Sequence, residues 1–360
     1  MTFPRRESRA VTAGGCRIGG GAPISVQSMI AADPHDFAAC LLAVRALEAA
    51  GCDIVRLTVP DSAAAGVFPY LRRAGVGVPL VADIHFDYKL AIEAMAGGAD
   101  KIRLNPGNIG GRDRVRAVAA EARARGIPIR IGVNGGSLER ELLAKHGGPT
   151  PEALVESALG HAALLEACDF YDIVLSVKTS SVADMIAANR LLAGRSPYPL
   201  HLGVTEAGGE RAGTVRSAVG IGALLAEGIG DTVRVSLTAD PVREVAAARE
   251  ILDALDLSAR PRLRIVSCPT CGRTAIDLLS LASRFEAAVE AEGLSHLPVT
   301  VALMGCIVNG PGEAREADLG IAGGRGEALL FSHGEPIGKL SEEEIIPTLL
   351  ARLHALAAEG

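Results

Sequence analysis

In VPLVADIHF, Val78–Phe86, a short apolar run ends on two polar residues set two apart, Asp83 and His85. Alternate residues of a strand share one face, so both side chains leave the same side of the strand's C-terminal end. The unit recurs. Short β-branched runs begin at Ile24 (ISVQSM), Ile54 (IVRLTV), Lys101 (KIRLN), Ile127 (IPIRIGV), Asp172 (DIVLSVK), Pro199 (PLHLGV) and Asp231 (DTVRVSL). Each leads into a stretch of helical periodicity, such as FAACLLAVRALEAAG or PVREVAAAREILDAL. With the opening stretch that makes eight strand–helix units. Their alternation predicts a parallel sheet, and their number predicts its closure into a (β/α)8 TIM-type barrel. An open doubly wound sheet is the competing arrangement, but no G-x-G-x-x-G stretch follows the first strand.

DLSARPRLR, Asp256–Arg264, reads as a linker, with proline and alternating charge after a helix. The expected division is a barrel over 1–257 and a smaller α+β domain over 258–360. The second part carries LRIVSC, a helix, PVTVALMG, ADLGIAG, EALLFSHG and a last helix that opens with a capping-box pattern, Ser341 and Glu344.

Composition excludes several classes. Of 360 residues, 49% are hydrophobic and 22% charged, typical of a globular protein with a sizeable core. No apolar run is long enough to span a bilayer, and the arginines near the start precede no apolar segment. A cytoplasmic protein is the default expectation. A net charge of −6, no Trp and 3% aromatics argue against a nucleic-acid surface. Seven cysteines without a secretory signal predict reduced thiols rather than a disulfide framework. Cys16, Cys40, Cys52 and Cys168 stand in apolar or small-residue surroundings and read as small buried hydrophobes.

The strand ends carry the chemistry. Arg103 and Asn105, Arg130 and Asn134, and Arg234 and Ser236 repeat the even spacing of Asp83 and His85. In a barrel such residues point into the mouth where active sites are built. With Arg56, Lys178, His201 and Glu206, the mouth gathers four arginines and one lysine. An acidic protein that collects cations at one spot fits a polyanion, and guanidinium forks suit a diphosphate. The bland alternative pairs each arginine with a strand-end acid, of which the flanking stretches offer few. His85 and His201 suit a satisfied strand histidine as well as a ligand or an acid.

SCPTCGR, Ser267–Arg273, and MGCIVNGPGEA, Met304–Ala314, bring three more thiols. Cys268, Cys271 and Cys306 fit a structural zinc site completed by His296 or His333, an iron–sulfur cluster, or a redox dithiol. The dithiol leaves Cys306 without a purpose. The glycines and proline around Cys306 allow backbone to wrap a bulky inorganic group, which favours the cluster. Glu313, in the same loop, offers a hard oxygen that matches a soft cluster iron poorly and would exchange readily. A thiol left out in this way opens one iron to substrate.

VQSM, LVADIHF, IRLNPGN, IRIGVN, PLHLGVTEAG, GIGDTVRVSL, SCPTCGR and MGCIVNGPGEA, in this order, closely resemble the bacterial 4-hydroxy-3-methylbut-2-en-1-yl diphosphate synthase family of the non-mevalonate isoprenoid pathway. The resemblance runs from about Val26 to Leu340. It implies a barrel joined to a domain holding one [4Fe-4S] cluster per chain on Cys268, Cys271, Cys306 and Glu313. It implies reductive ring opening and dehydration of 2-C-methyl-D-erythritol 2,4-cyclodiphosphate to (E)-4-hydroxy-3-methylbut-2-enyl diphosphate. Electrons would come from flavodoxin or ferredoxin. Arg56, His85, Arg103, Asn105, Arg130, Asn134, Lys178 and Ser236 would line the diphosphate site, and Glu206 would be the acid facing the reacting carbons. A homodimer is implied as well. Ile30 and Ser181 depart from the family's usual hydroxyl residue and acid. The rival reading is a phosphate-binding barrel lyase or isomerase with a structural zinc module.

Overall fold

The computed structural model describes residues 3–260, 262–307 and 315–359. The chain divides into two compact units, one ending at Ser258 and the other beginning at Ala259.

The first unit opens with a hairpin, β1 (Val11–Ala13) and β2 (Cys16–Ile18), turned at Gly14, whose φ of 55° suits a residue without Cβ. Eight parallel strands follow: β3 (Ser25–Met29), β4 (Ile54–Thr58), β5 (Leu80–Asp83), β6 (Lys101–Arg103), β7 (Ile129–Asn134), β8 (Ile173–Lys178), β9 (His201–Leu202) and β10 (Thr232–Val233). They neighbour one another in the order β8-β7-β6-β5-β4-β3-β10-β9, and a bridge from Leu175 on β8 to Leu200 closes the ring. The barrel expected from the sequence is therefore present.

Burial on both faces explains the β-branched runs, since outward side chains such as Val55, Leu57, Ile102 and Ile131 pack beneath the surrounding helices. The inward faces differ. Below the mouth only a thin apolar floor forms, where Val11, Ala13 and Ile18 of the hairpin cover Ile54, Val81 and Val174. β9 and β10 are shorter than their sequence runs. They stop beside Gly203, where a Cβ would meet both the Arg234 carbonyl and Lys178 Nζ at 2.6 Å.

The second unit is one mixed sheet, β11 (Arg264–Ser267), β12 (Thr300–Met304), β13 (Leu319–Gly323), β14 (Ala328–Ser332) and β15 (Glu335–Leu340), in that order. The first three strands run parallel and the last two antiparallel. The helices Leu278–Ala291 and Ile345–Glu359 cover one face through Phe285, Val289, Leu349 and Leu353 on Val301, Leu303 and Ile321. The capping box at Ser341 and Glu344 forms as expected. Among the described residues no helix is long and apolar enough to cross a membrane.

Candidate active site

Asp83 ends β5 between two arginines. Its carboxylate lies 3.2 Å from Arg103 Nη1 and 3.6 Å from Arg56 Nε, with His85 Nε2 at 3.9 Å. Burial acts to raise its pKa, but Arg56, Arg103 and Arg130 together hold it below the ordinary value. Glu244 does the same service for Arg234. From the helix Pro241–Ala254 its two oxygens each stand 3.3 Å from Arg234, and they accept the Ser28 hydroxyl at 2.9 Å and the Leu237 N–H at 3.0 Å. Glu244 is 4% exposed. The expectation of few compensating acids is thus corrected: two carboxylates partner three of the four arginines. Asp83 stood in view at a strand end. Glu244 sits on a helix, where strand spacing gives no signal.

Arg130 and Lys178 have no such partner. Arg130 is 2% exposed, and its Nε and Nη2 bond to nothing among the described residues. Burial, reinforced by Arg56 and Arg103, pushes its pKa well down. Arg56 itself is pushed down to about 10, chiefly by burial. Lys178 Nζ ends 3.3 Å from His201 Nε2, and burial lowers the pKa of both groups well below their ordinary values. A neutral His201 accepts the Lys178 hydrogen bond and so orients that lysine. Two buried cations without an ion-paired acid among the described residues are stabilised by whatever anion enters the mouth.

His85, Arg103, Asn105 and Asn134 line one cleft of about 380 Å³ together with Phe86 and Ser137. Asn105 is committed structurally, since its side chain donates to the Gly132 carbonyl at 3.1 Å and accepts from the Gly132 N–H at 2.9 Å. It staples β6 to β7, and Arg103 Nη2 adds a bond to the same carbonyl at 2.9 Å. Gly132 has to be glycine there, because a Cβ would stand 2.7 Å from Arg103 Nε. Ser236 and Glu206 follow β10 and β9 at the same end of the barrel. Glu206 is exposed and holds φ at 53°, a strained left-handed backbone for a residue with a Cβ. A larger groove of about 540 Å³ between Glu210–Ala226 and Pro241–Ala254 contains none of these residues.

In the second unit the parallel strands set the thiols. Cys268 follows β11 and Cys306 follows β12, so both leave the same edge of the sheet. Cys268 Sγ accepts the Gly305 N–H at 3.2 Å, and Cys271 Sγ accepts the Arg273 N–H at 3.5 Å. Thr274 bonds the Cys271 N–H at 3.0 Å and packs on Gly305, where a Cβ would meet it at 2.8 Å. Soft thiols with backbone N–H donors aimed at sulfur fit an iron–sulfur group, as they fit any thiolate-bound metal. Glu313 lies outside the described residues. Cys40 and Cys52 are buried as expected, whereas Cys16 and Cys168 are only partly so.

The zinc alternative loses the histidines expected to complete it. His296 ends the turn before β12, and His333 follows β14, whose last residue Ser332 pairs with the first residue of β13. Both stand at the opposite edge of the sheet from Cys268 and Cys306, a strand length of roughly 15 Å away. Among the described residues, no three His, Cys, Asp or Glu side chains group around one ion, and this includes Cys268, Cys271 and Cys306, so it favours neither metal group over the other.

Comparison with known proteins follows the same division. Residues 8–249 match the family model described as the GcpE TIM-barrel domain, and residues 264–355 match the GcpE protein C-terminal domain. The chain is 54% identical over 352 residues to a protein of Ruminiclostridium cellulolyticum, covering 98% of each. It is 54% identical over 358 residues to one of Geobacter sulfurreducens, covering 99% of each. Both relatives are described as 4-hydroxy-3-methylbut-2-en-1-yl diphosphate synthase (flavodoxin). A solved type I 3-dehydroquinate dehydratase from Clostridium difficile aligns with a TM-score of 0.52 at 14% identity, over 69% of this chain and 98% of that one. That likeness concerns the fold alone.

Proposed function

This chain belongs to the GcpE family, and from that membership we infer that it is an enzyme catalysing the reaction of the family's synthases. The reaction is the two-electron reductive ring opening and dehydration of 2-C-methyl-D-erythritol 2,4-cyclodiphosphate to (E)-4-hydroxy-3-methylbut-2-enyl diphosphate. The observation that carries the reading at this site is the pair Arg130 and Lys178, two buried cations without an ion-paired acid among the described residues, at the end of a barrel.

In this reading Arg130 and Lys178 bind the diphosphate directly. Arg56 and Arg103, held by Asp83, and Arg234, held by Glu244, neutralise charge that develops as the ring C–O bond breaks. His85, Asn134 and Ser236 complete the polar wall, and Asn105 keeps the backbone beneath it in register. Glu206 protonates the departing hydroxyl as water. Cys268, Cys271 and Cys306, with Glu313 as an exchangeable fourth ligand, would hold one [4Fe-4S] cluster. When bound, that cluster would relay the two electrons from the donor one at a time and offer a Lewis-acidic iron. Flavodoxin, named for the relatives, or ferredoxin is the proposed donor, and a homodimer the proposed assembly.

Iron and acid-labile sulfide analysis of anaerobically purified protein tests the cofactor, with about four of each expected per chain. Anaerobic turnover of the cyclodiphosphate with reduced flavodoxin tests the reaction. A colourless, iron-free but active protein would overturn the cofactor assignment.

A further inference from the structure

One layer beneath the mouth the inner wall of the barrel is polar on several strands, beside the apolar Ile54 and Val81, which stand two residues before Arg56 and Asp83. Gln27, Lys101, Ser176 and Thr232 each stand two residues before a side chain of the mouth, namely Met29, Arg103, Lys178 and Arg234. Alternation along a strand therefore turns them into the barrel, roughly 6–7 Å deeper than those residues. None is more than 1% exposed. Gln27 Nε2 and Oε1, Lys101 Nζ, Ser176 Oγ and Thr232 Oγ1 have no hydrogen-bond partner, and Arg130 Nε and Nη2 and His201 Nδ1 join them. Barrel interiors of this type are ordinarily filled by branched apolar side chains. Buried polar groups of native proteins find partners, so this many turned into the barrel point to an occupant.

Charge narrows its nature. Among the described residues, the charged and titratable groups that act on Lys101 are Arg130, Cys16 and Arg56, and none of these is a carboxylate. His201 faces the same group from β9 and is itself depressed by Lys178, Arg130 and Lys101. Asp83 and Glu244, the buried acids at the mouth, are already paired with Arg56, Arg103 and Arg234. Water would satisfy the hydrogen bonds but leave two like charges facing each other in a medium of low dielectric. A small anion accepts from ammonium, guanidinium, hydroxyl and carboxamide donors alike and cancels the repulsion.

We propose that the barrel holds a small-anion site one layer beneath the mouth, walled by Lys101, Arg130, Gln27, Ser176 and Thr232, with a halide as its simplest occupant. The site shares Arg130 with the diphosphate contacts above and otherwise lies on residues outside them, and it does not rest on the reaction assigned there. The lowering of the Lys101 pKa by burial fits it, because a bound anion would keep that ammonium charged.

The test uses the full-length holoprotein without substrate. Chloride is exchanged for gluconate at constant ionic strength while the midpoint of thermal unfolding is followed. The parent should show a saturable rise with chloride, and Lys101→Met should lose it or need about tenfold more chloride or beyond. Bromide introduced into crystals should give an anomalous peak in contact with Lys101 Nζ. Should Lys101→Met fail to fold, Thr232→Val, which keeps side-chain shape, should weaken the chloride response, and the bromide peak decides independently. An equal response in the parent and the variants, bromide bound only elsewhere, or water alone in the barrel would each overturn the site.

Discussion

Glu244 binds three partners from two strand ends and a loop, so the cost of changing it follows from what each oxygen accepts. In Glu244→Gln one amide oxygen can still take the Leu237 N–H. The amide nitrogen then meets the donors of Arg234 and the Ser28 hydroxyl where a carboxylate had accepted them. A loss of about 1–3 kcal/mol of stability is expected, as for a buried charged hydrogen bond left half-made. Denaturant unfolding measures it, and a misaimed Arg234 should lower kcat/KM by roughly tenfold, or about 1.4 kcal/mol. Arg130 predicts the opposite balance. Its guanidinium is desolvated without an ion-paired acid, so in chloride-free buffer Arg130→Met should leave the substrate-free protein equally or more stable. Substrate binding should weaken by about 2–5 kcal/mol, the scale for truncating one partner of a buried charge pair. A marked fall in the unfolding midpoint of substrate-free Arg130→Met would mean that this arginine has a structural partner and is not held ready for an anion.

The strands were the legible elements, because parallel strands buried on both faces leave continuous apolar runs, and their inward polar ends break those runs at even spacing. Val78–Phe86 shows both signs within nine residues. Other elements left no such mark. The floor hairpin β1–β2 pairs across a two-glycine turn but is too short for a periodicity to register. β15 is exposed along nearly its whole length at the sheet's edge, so no apolar alternation was required of it. Glu244 sits on a helix where a carboxylate ordinarily faces solvent, and only the fold turns it inward. His201 was ambiguous because its meaning depends on Lys178, which lies across a strand boundary rather than nearby in sequence. Lys101 is of the same kind: KIRLN contains it plainly, but its lack of a facing acid is a property of the closed barrel. This predicts a pH effect at the level of the strand. The Lys101 pKa falls from 10.5 to about 7 on folding, through burial and then Arg130. Between about pH 7 and 10.5 the unfolded chain therefore binds the extra proton, and stability rises with pH across that window; below it the penalty is complete. Lys101→Met removes the penalty, so in chloride-free buffer it should be the more stable protein near pH 7 by a few kcal/mol, with the difference shrinking towards pH 10. Unfolding free energies of both proteins at several pH values measure it, and a difference independent of pH would mean that Lys101 keeps its proton in the folded barrel.

The two units have separate hydrophobic cores, one between barrel strands and helices and one between the second sheet and its two helices. Damage confined to one core's site should therefore leave the other site's chemistry intact. Cys306→Ser replaces a soft thiolate by a hard hydroxyl, so iron content and the visible spectrum should collapse. Binding of the cyclodiphosphate, measured calorimetrically, should stay within about tenfold, because Arg130, Lys178 and their neighbours all belong to the barrel. Arg130→Met should do the reverse, keeping the iron and losing the affinity. Glu313→Cys separates the remaining possibility, that the fourth ligand is merely structural. A fourth thiolate suits iron better than a carboxylate does, so the variant should keep its iron and resist oxygen longer. Substrate affinity at the barrel should change little. Turnover should nevertheless fall by roughly a hundredfold or more if Glu313 is the exchangeable ligand of the proposed cluster, because a thiolate there would not exchange readily. Iron analysis alongside anaerobic turnover with an artificial reductant decides it. An intact cluster with near-parental turnover in Glu313→Cys would remove the open iron from the mechanism while leaving the barrel's part in it untouched.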